Sequence, residues 1–182
     1  MAFRGWVFVT AFIFAIGIIV GVVMPANFGP IQELVGGLSE LGGLLQPSTF
    51  LMFIVILLKN LLALLLSFIL SPFFFLVPII SLFLNGWIIG LVSLYVVQEY
   101  SLAYLIAGIL PHGIFEIPAF IMAHAAAFNF GLALIQALFI KAKRGQLRVR
   151  IMISVKYMAI ACMLLVPAAI VETFVTPLIM GV

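Results

Sequence analysis

The sequence contains no aspartate, and its acidic residues are only Glu33, Glu40, Glu99, Glu116 and Glu172. With eight lysines and arginines, charged side chains make up 7% of the 182 positions, against about 25% in an ordinary soluble domain. So few charges cannot solvate a water-exposed surface, and a water-soluble monomer is excluded. A single cysteine, Cys162, excludes an intramolecular disulfide. The net charge of +3 is small and calls for no nucleic-acid partner. The chain also lacks G-x-S-x-G, S-x-x-K, H-E-x-x-H and a P-loop, so no hydrolase, peptidase or nucleotide-binding signature is present.

What is present is hydrophobic. Apolar residues make up 67% of the chain, 18 of them phenylalanine, and the mean hydropathy is +1.46. A bilayer is the solvent that suits this composition, and the length holds one membrane domain. About 20 apolar residues cross the roughly 30 Å of hydrocarbon. Residues 5–24 form such a span, read as a retained helix because no small-residue cleavage motif follows it. Residues 25–49 carry three prolines, two Gly-Gly pairs, Glu33 and Glu40, and read as an external loop. Leu34, Leu38, Leu41 and Leu45 within it are spaced for an amphipathic surface helix. The uncharged stretch from Asn60 to Gln98 is too long for one crossing and must fold back at Ser71-Pro72, giving spans near 50–70 and 73–97. Residues 101–140 are again too long for one plain span. Pro111, Gly113 and Pro118 predict a broken or re-entrant helix there. Residues 151–180 form the last span.

The result is an all-α polytopic helix bundle of about five spans. Lys141, Lys143, Arg144, Arg148 and Arg150 crowd into the short stretch 141–150, which the positive-inside rule places in the cytoplasm together with Arg4. The N-terminus is then cytoplasmic and the C-terminus external, in a multi-pass protein of the cell membrane. The cluster reads first as a topology signal and second as a contact for anionic lipid heads.

Polar groups inside spans are expensive, so each marks a bundle interior or a cavity. The candidates for a binding or structural polar site are Lys59, Asn60, Asn85, His112, Glu116 and Glu172. His112 and Glu116 stand four apart and share a helix face. His124 adds no metal site: at i+12 it lies about 120° around the helix from His112, while Glu116 lies about 40° away. No metal and no cofactor are expected. Small residues mark close helix approach. Gly17 and Gly21 form one G-x-x-x-G, Gly86 and Gly90 a second, and Ala119, Ala123 and Ala127 repeat at four. Packing within the chain is the first reading of these motifs; a homodimer seam at Gly17 and Gly21, on the span farthest along the chain from the polar residues, is the second.

Four segments together carry a resemblance. They are L-K-N-L at 58–61, L-N-G-W-I-I-G at 84–90, L-P-H-G-I-F-E-I-P-A at 110–119 and A-A-I-V-E-T-F-V-T-P at 168–177. In this order they resemble the stage II sporulation protein M family of membrane proteins, over roughly residues 50–180. The family's usual Asn-Asn pair is represented by Asn60 alone, after Lys59. The resemblance implies an integral membrane protein of five or six spans. The namesake of the family is a scaffold that holds peptidoglycan-degrading partners at the membrane without being a hydrolase itself. The expected function is therefore a non-enzymatic membrane scaffold or assembly component, with lipids, a second copy and membrane or cell-envelope proteins as partners. The alternatives are a transport protein with its site at the buried polar residues and, third, a metal-dependent intramembrane hydrolase.

Overall fold

The computed structural model describes residues 3–24, 48–73 and 75–180. The leucine stripe expected within 25–49 lies outside the described residues. Among the described residues there is no strand. Helix α1 spans Phe3–Val23, α2 Thr49–Leu70, α3 Leu76–Glu99 and α4 Leu102–Phe139. A 3-10 segment, Lys141–Gln146, leads to α5, Leu147–Ile170, which passes through a wide π turn, Val171–Val175, into α6, Thr176–Met180. Five helical segments are long and apolar enough to cross a membrane. Ser48 caps α2 by accepting from the Leu51 N–H at 3.3 Å, and Ser101 caps α4 by accepting from Tyr104 at 3.1 Å.

Helix directions follow from paired contacts. Gly17 faces Gly86 and Gly21 faces Gly90, so α1 and α3 run parallel and in direct contact. The Thr10 hydroxyl reaches the Ile121 carbonyl at 3.2 Å, and Trp6 stacks on Phe128 at 5.4 Å, so α1 and α4 are antiparallel. Phe3 stacks on Tyr157 at 3.9 Å, Phe68 on Phe130 at 4.4 Å, and Phe75 meets Phe128 at 5.6 Å. These rings form a belt at one level of the bundle, as expected at a membrane interface. Arg4, the Ser71–Phe75 turn and the basic stretch 141–150 all belong to that end. Phe75 turns the chain with φ 55°, a left-handed conformation rare for a bulky residue, and its ring packs beside Gly131.

Two expectations are corrected. The two G-x-x-x-G motifs do not form a seam for a second copy; they interlock within one chain. A Cβ at Gly17 would overlap the Phe83 carbonyl oxygen, and one at Gly86 would overlap that of Phe14. Gly21 and Gly90 stand in the same relation to Trp87 and Ile18. Apolar surface gains little from burial in lipid, so two bare glycine grooves meet each other and gain backbone dispersion contacts. The second correction concerns Pro111, Gly113 and Pro118. Helix α4 runs unbroken through both prolines for 38 residues, about 57 Å. A proline inside a helix costs about 3 kcal/mol. Breaking the helix at membrane depth would strand several backbone groups, each costing several kcal/mol. Gly113 is no hinge either: a Cβ there would make ordinary contacts with Ile109 and Ile117.

The alanine repeat on α4 does what small residues allow. Ala119, Ala123 and Ala126 pack with Phe120, Leu64 of α2, and Met158, Ala161 and Leu165 of α5 into the core. Helix α4 is the central element and touches every other span. Beyond the aromatic belt, α4 and α5 continue as a two-helix hairpin. Gly131 meets the α2–α3 turn at Ser71. Phe139, eight residues on, therefore stands about 12 Å past it.

Candidate functional site

Glu116 of α4 and Glu172 of the π turn come together near the centre of the bundle. Asn60 is the twelfth of the 22 residues of α2, about 16 Å from either end and so near the bilayer midplane. Its amide donates to Glu116 Oε1 at 3.2 Å. The other carboxylate oxygen of Glu116 lies 3.9 Å from His112 Nε2, one helical turn earlier on α4. His112 Nδ1 is buried with no hydrogen-bond partner. Asn85 of α3 donates back to the Ser81 carbonyl at 2.7 Å, which leaves its amide oxygen turned to its surroundings. The π turn carries Glu172 to the same place. Pro167 lies in the last turn of α5 before it, and the wide turn is closed by the Thr176 N–H, which bonds the Val171 carbonyl five residues back. The extra residue of a π turn changes which face the following side chains occupy, and such turns recur at functional sites.

Asn85, His112, Glu116 and Glu172 line one cleft of about 370 Å³, walled by Ile88, Ile89, Val92, Ile109 and Ile117. A second cavity of about 210 Å³ shares Val92 and Ile109 with it and continues past Leu105 and Gly108 to Val96 and Tyr104. The two make a groove between α3 and α4, running from the midplane toward the α3–α4 turn. Its wall is apolar and opens to the surface at Ile88. In the other direction the groove stops, because Leu64, Leu82, Ala119, Phe120 and Ala123 are close-packed below it.

Five of the six expected polar residues thus come together, and Lys59 does not. Neighbours on a helix point about 100° apart, so with Asn60 turned inward Lys59 faces outward, exposed. The cleft is therefore lined by two carboxylates and, among the described residues, by no lysine or arginine, while Lys59 stays near enough to act electrostatically on Glu116. Among those residues, too, no three His, Cys, Asp or Glu side chains come close enough to hold a metal ion.

Sequence reasoning missed a second polar cluster. Arg150 donates from Nη1 to Gln136 Oε1 at 2.7 Å and from Nε and Nη2 to Asn129 Oδ1 at 3.3 and 3.1 Å. Asn129 in turn donates to Ser154 Oγ at 2.9 Å and to the Arg150 carbonyl at 3.2 Å. This network ties α4 to α5 where they leave the aromatic belt and only two helices remain to pack. The spacing of Arg150 among four other cations disguised it as one more topology charge. His124 is likewise structural: Nδ1 bonds the Phe120 carbonyl at 2.8 Å, and Nε2 joins α4 to α3 through Ser81 Oγ at 3.3 Å.

Comparison with known proteins follows the same outline. Neither the curated proteins nor the solved structures contain a match to this chain. A model of the stage II sporulation protein M family, however, matches residues 10–177. That range starts 48 residues before the motifs at 58–177. It takes in α1 and its glycine contacts with α3 as well as the groove. The chain is a multi-pass membrane protein that belongs to the stage II sporulation protein M family.

Proposed function

We propose that this protein is a non-enzymatic assembly component of the cell membrane, which holds a partner's transmembrane helix in the α3–α4 groove. One observation carries the reading: Glu116 keeps 26% of its side-chain surface exposed at mid-bilayer depth, in an apolar groove lined by a second carboxylate and by no lysine or arginine. A bare carboxylate in hydrocarbon is expensive. A lysine or arginine on a partner helix would neutralise it, while the isoleucine walls take the partner's apolar flanks. The blind inner end of the groove suits holding better than passage.

The test uses a synthetic apolar helix with one central lysine, and the same helix with leucine in its place. Energy transfer to the full-length protein in lipid vesicles measures association. The lysine helix is expected to bind at least about tenfold more tightly, and the double variant Glu116→Gln, Glu172→Gln to remove the difference, about 1.4 kcal/mol. Equal binding of both helices would overturn the proposal. Transport is the second reading, favoured by the π turn beside Glu172, since interrupted helices at mid-depth serve ion sites in transporters. Proton or cation flux into protein-loaded vesicles, lost in Glu116→Gln, would establish it instead.

The orientation proposed is that the end with Arg4 and residues 141–150 faces the cytoplasm. Gln146→Cys, in a chain with Cys162→Ala, is expected to react with a membrane-impermeant thiol reagent only after the cells are opened. Labelling in intact cells would invert the topology.

A further inference from the structure

The hairpin that α4 and α5 form beyond the aromatic belt has no place in the groove's function. Its tip combines three features. Leu138, Phe139 and Ile140 are 70%, 83% and 45% exposed. They precede Lys141, Lys143, Arg144 and Arg148, all exposed. The described acids, Glu99, Glu116 and Glu172, belong to the other half of the molecule, with Glu116 about 35 Å back along α4. Elsewhere on this protein exposed apolar side chains face lipid, which needs no explanation. These three do not: the headgroup layer beyond the hydrocarbon is about 5–8 Å deep, and Phe139 stands about 12 Å past the α2–α3 turn. With the aromatic belt taken as the hydrocarbon edge, the tip projects through that layer into water, where three adjacent exposed apolar side chains mark a contact surface.

The hairpin is also built to hold its shape there. Arg150, Asn129, Gln136 and Ser154 are bonded to one another across the two helices, and Arg144 Nε bonds the Ala137 carbonyl at 3.0 Å, closing the end of α4. Those bonds occupy Arg150 and the Nε of Arg144. The side chains of Lys141, Lys143 and Arg148 form no hydrogen bond or ion pair among the described residues and are free to meet an anion.

We infer that the hairpin tip is a docking surface for an acidic amphipathic segment of a water-soluble or peripheral partner protein. The partner's apolar face covers Leu138, Phe139 and Ile140, and its carboxylates meet Lys141, Lys143 and Arg148. Charge complementarity identifies this occupant. A second copy of the chain offers no described acid on this side of the membrane. A lipid surface would have to rise about 12 Å to reach Phe139.

The experiment uses the full chain in nanodiscs of zwitterionic lipid and a fluorescent amphipathic peptide with leucine on one face and glutamate on the other. A lysine-faced peptide and empty nanodiscs serve as controls. Anisotropy is expected to show binding of the glutamate peptide that weakens with added salt, and weakens roughly tenfold in the triple variant Lys141→Glu, Lys143→Glu, Arg148→Glu. Phe139→Ser is expected to weaken it as well. Circular dichroism checks that the variants stay folded, and the milder Lys141→Gln, Lys143→Gln pair replaces the triple variant if it does not. Equal binding of the lysine-faced peptide, or no change in any variant, would overturn the inference. So would strong quenching of Phe139→Trp by lipid-borne nitroxides in a chain with Trp6 and Trp87 replaced by phenylalanine, because the tip would then lie in the bilayer and serve anionic lipid.

Discussion

Gly86→Leu is expected to lower the thermal midpoint of the protein by roughly 10 °C. Overpacking a filled interface costs about 1–3 kcal/mol, and the upper end applies here because the atoms in the way belong to the α1 backbone. For a chain of this size each kcal/mol moves the midpoint by about 2–4 °C. No rotamer of a larger side chain avoids the Phe14 carbonyl, so α1 must separate from α3 along its length. Cys162, the single cysteine and half-buried in α5, reports the melt through a thiol-reactive dye. Gly113→Ala is the matched control. Its Cβ would sit 3.5 Å from Ile109 Cγ2 and 3.7 Å from Ile117 Cδ1, in ordinary contact. It should leave the midpoint unchanged or raise it slightly, because alanine loses less backbone entropy than glycine in a helix. A Gly86→Leu protein that melts with the wild type would show that α1 and α3 do not meet at these glycines.

Arg150→Lys is expected to destabilise the protein by about 2 kcal/mol, although the charge is kept. A hydrogen bond to a charged group contributes about 1.5–3 kcal/mol, and the guanidinium makes several in a fixed fork. One ammonium cannot reach Gln136 Oε1 and both the side-chain and main-chain oxygens of Asn129 together. The loss should be local as well as global. Amide hydrogen exchange is expected to quicken over residues 132–149, the hairpin beyond the belt, while α1 and α3 keep their protection. Exchange that rises uniformly, or not at all, would deny the network its role in holding the hairpin. Because the peptide-binding tip sits on this hairpin, Arg150→Lys also predicts weaker binding without removing any contact residue.

The polar site illustrates how far single residues can be read. His112 and Glu116 were legible because an i,i+4 pair shares a face in any helix, whatever surrounds it. Asn60 and Lys59 were not separable, since both are polar and adjacent, and only the rotation of α2 against α4 turns Asn60 to Glu116 and Lys59 away. Glu172 stood out in the sequence only as a charge inside an apolar span. The structure carries it on a π turn and lines the groove with it. The two prolines of α4 misled. A break there needs protein or water to satisfy the freed backbone groups, and the intact helix keeps them bonded without either.

By itself the sequence determined the solvent, the helical class, the number of crossings and the end at which the cations gather. These depend on sums over residues: apolar run length against bilayer thickness, and charge against the energy of burial. Tertiary structure alone decided that the glycine motifs of α1 and α3 meet each other, that Arg150 joins a network while its neighbours stay free, and that a groove with two carboxylates opens between α3 and α4. Each of those turns on the depth and rotation of one helix relative to another. That relation is set by close packing among residues far apart in the chain, and no single span carries it.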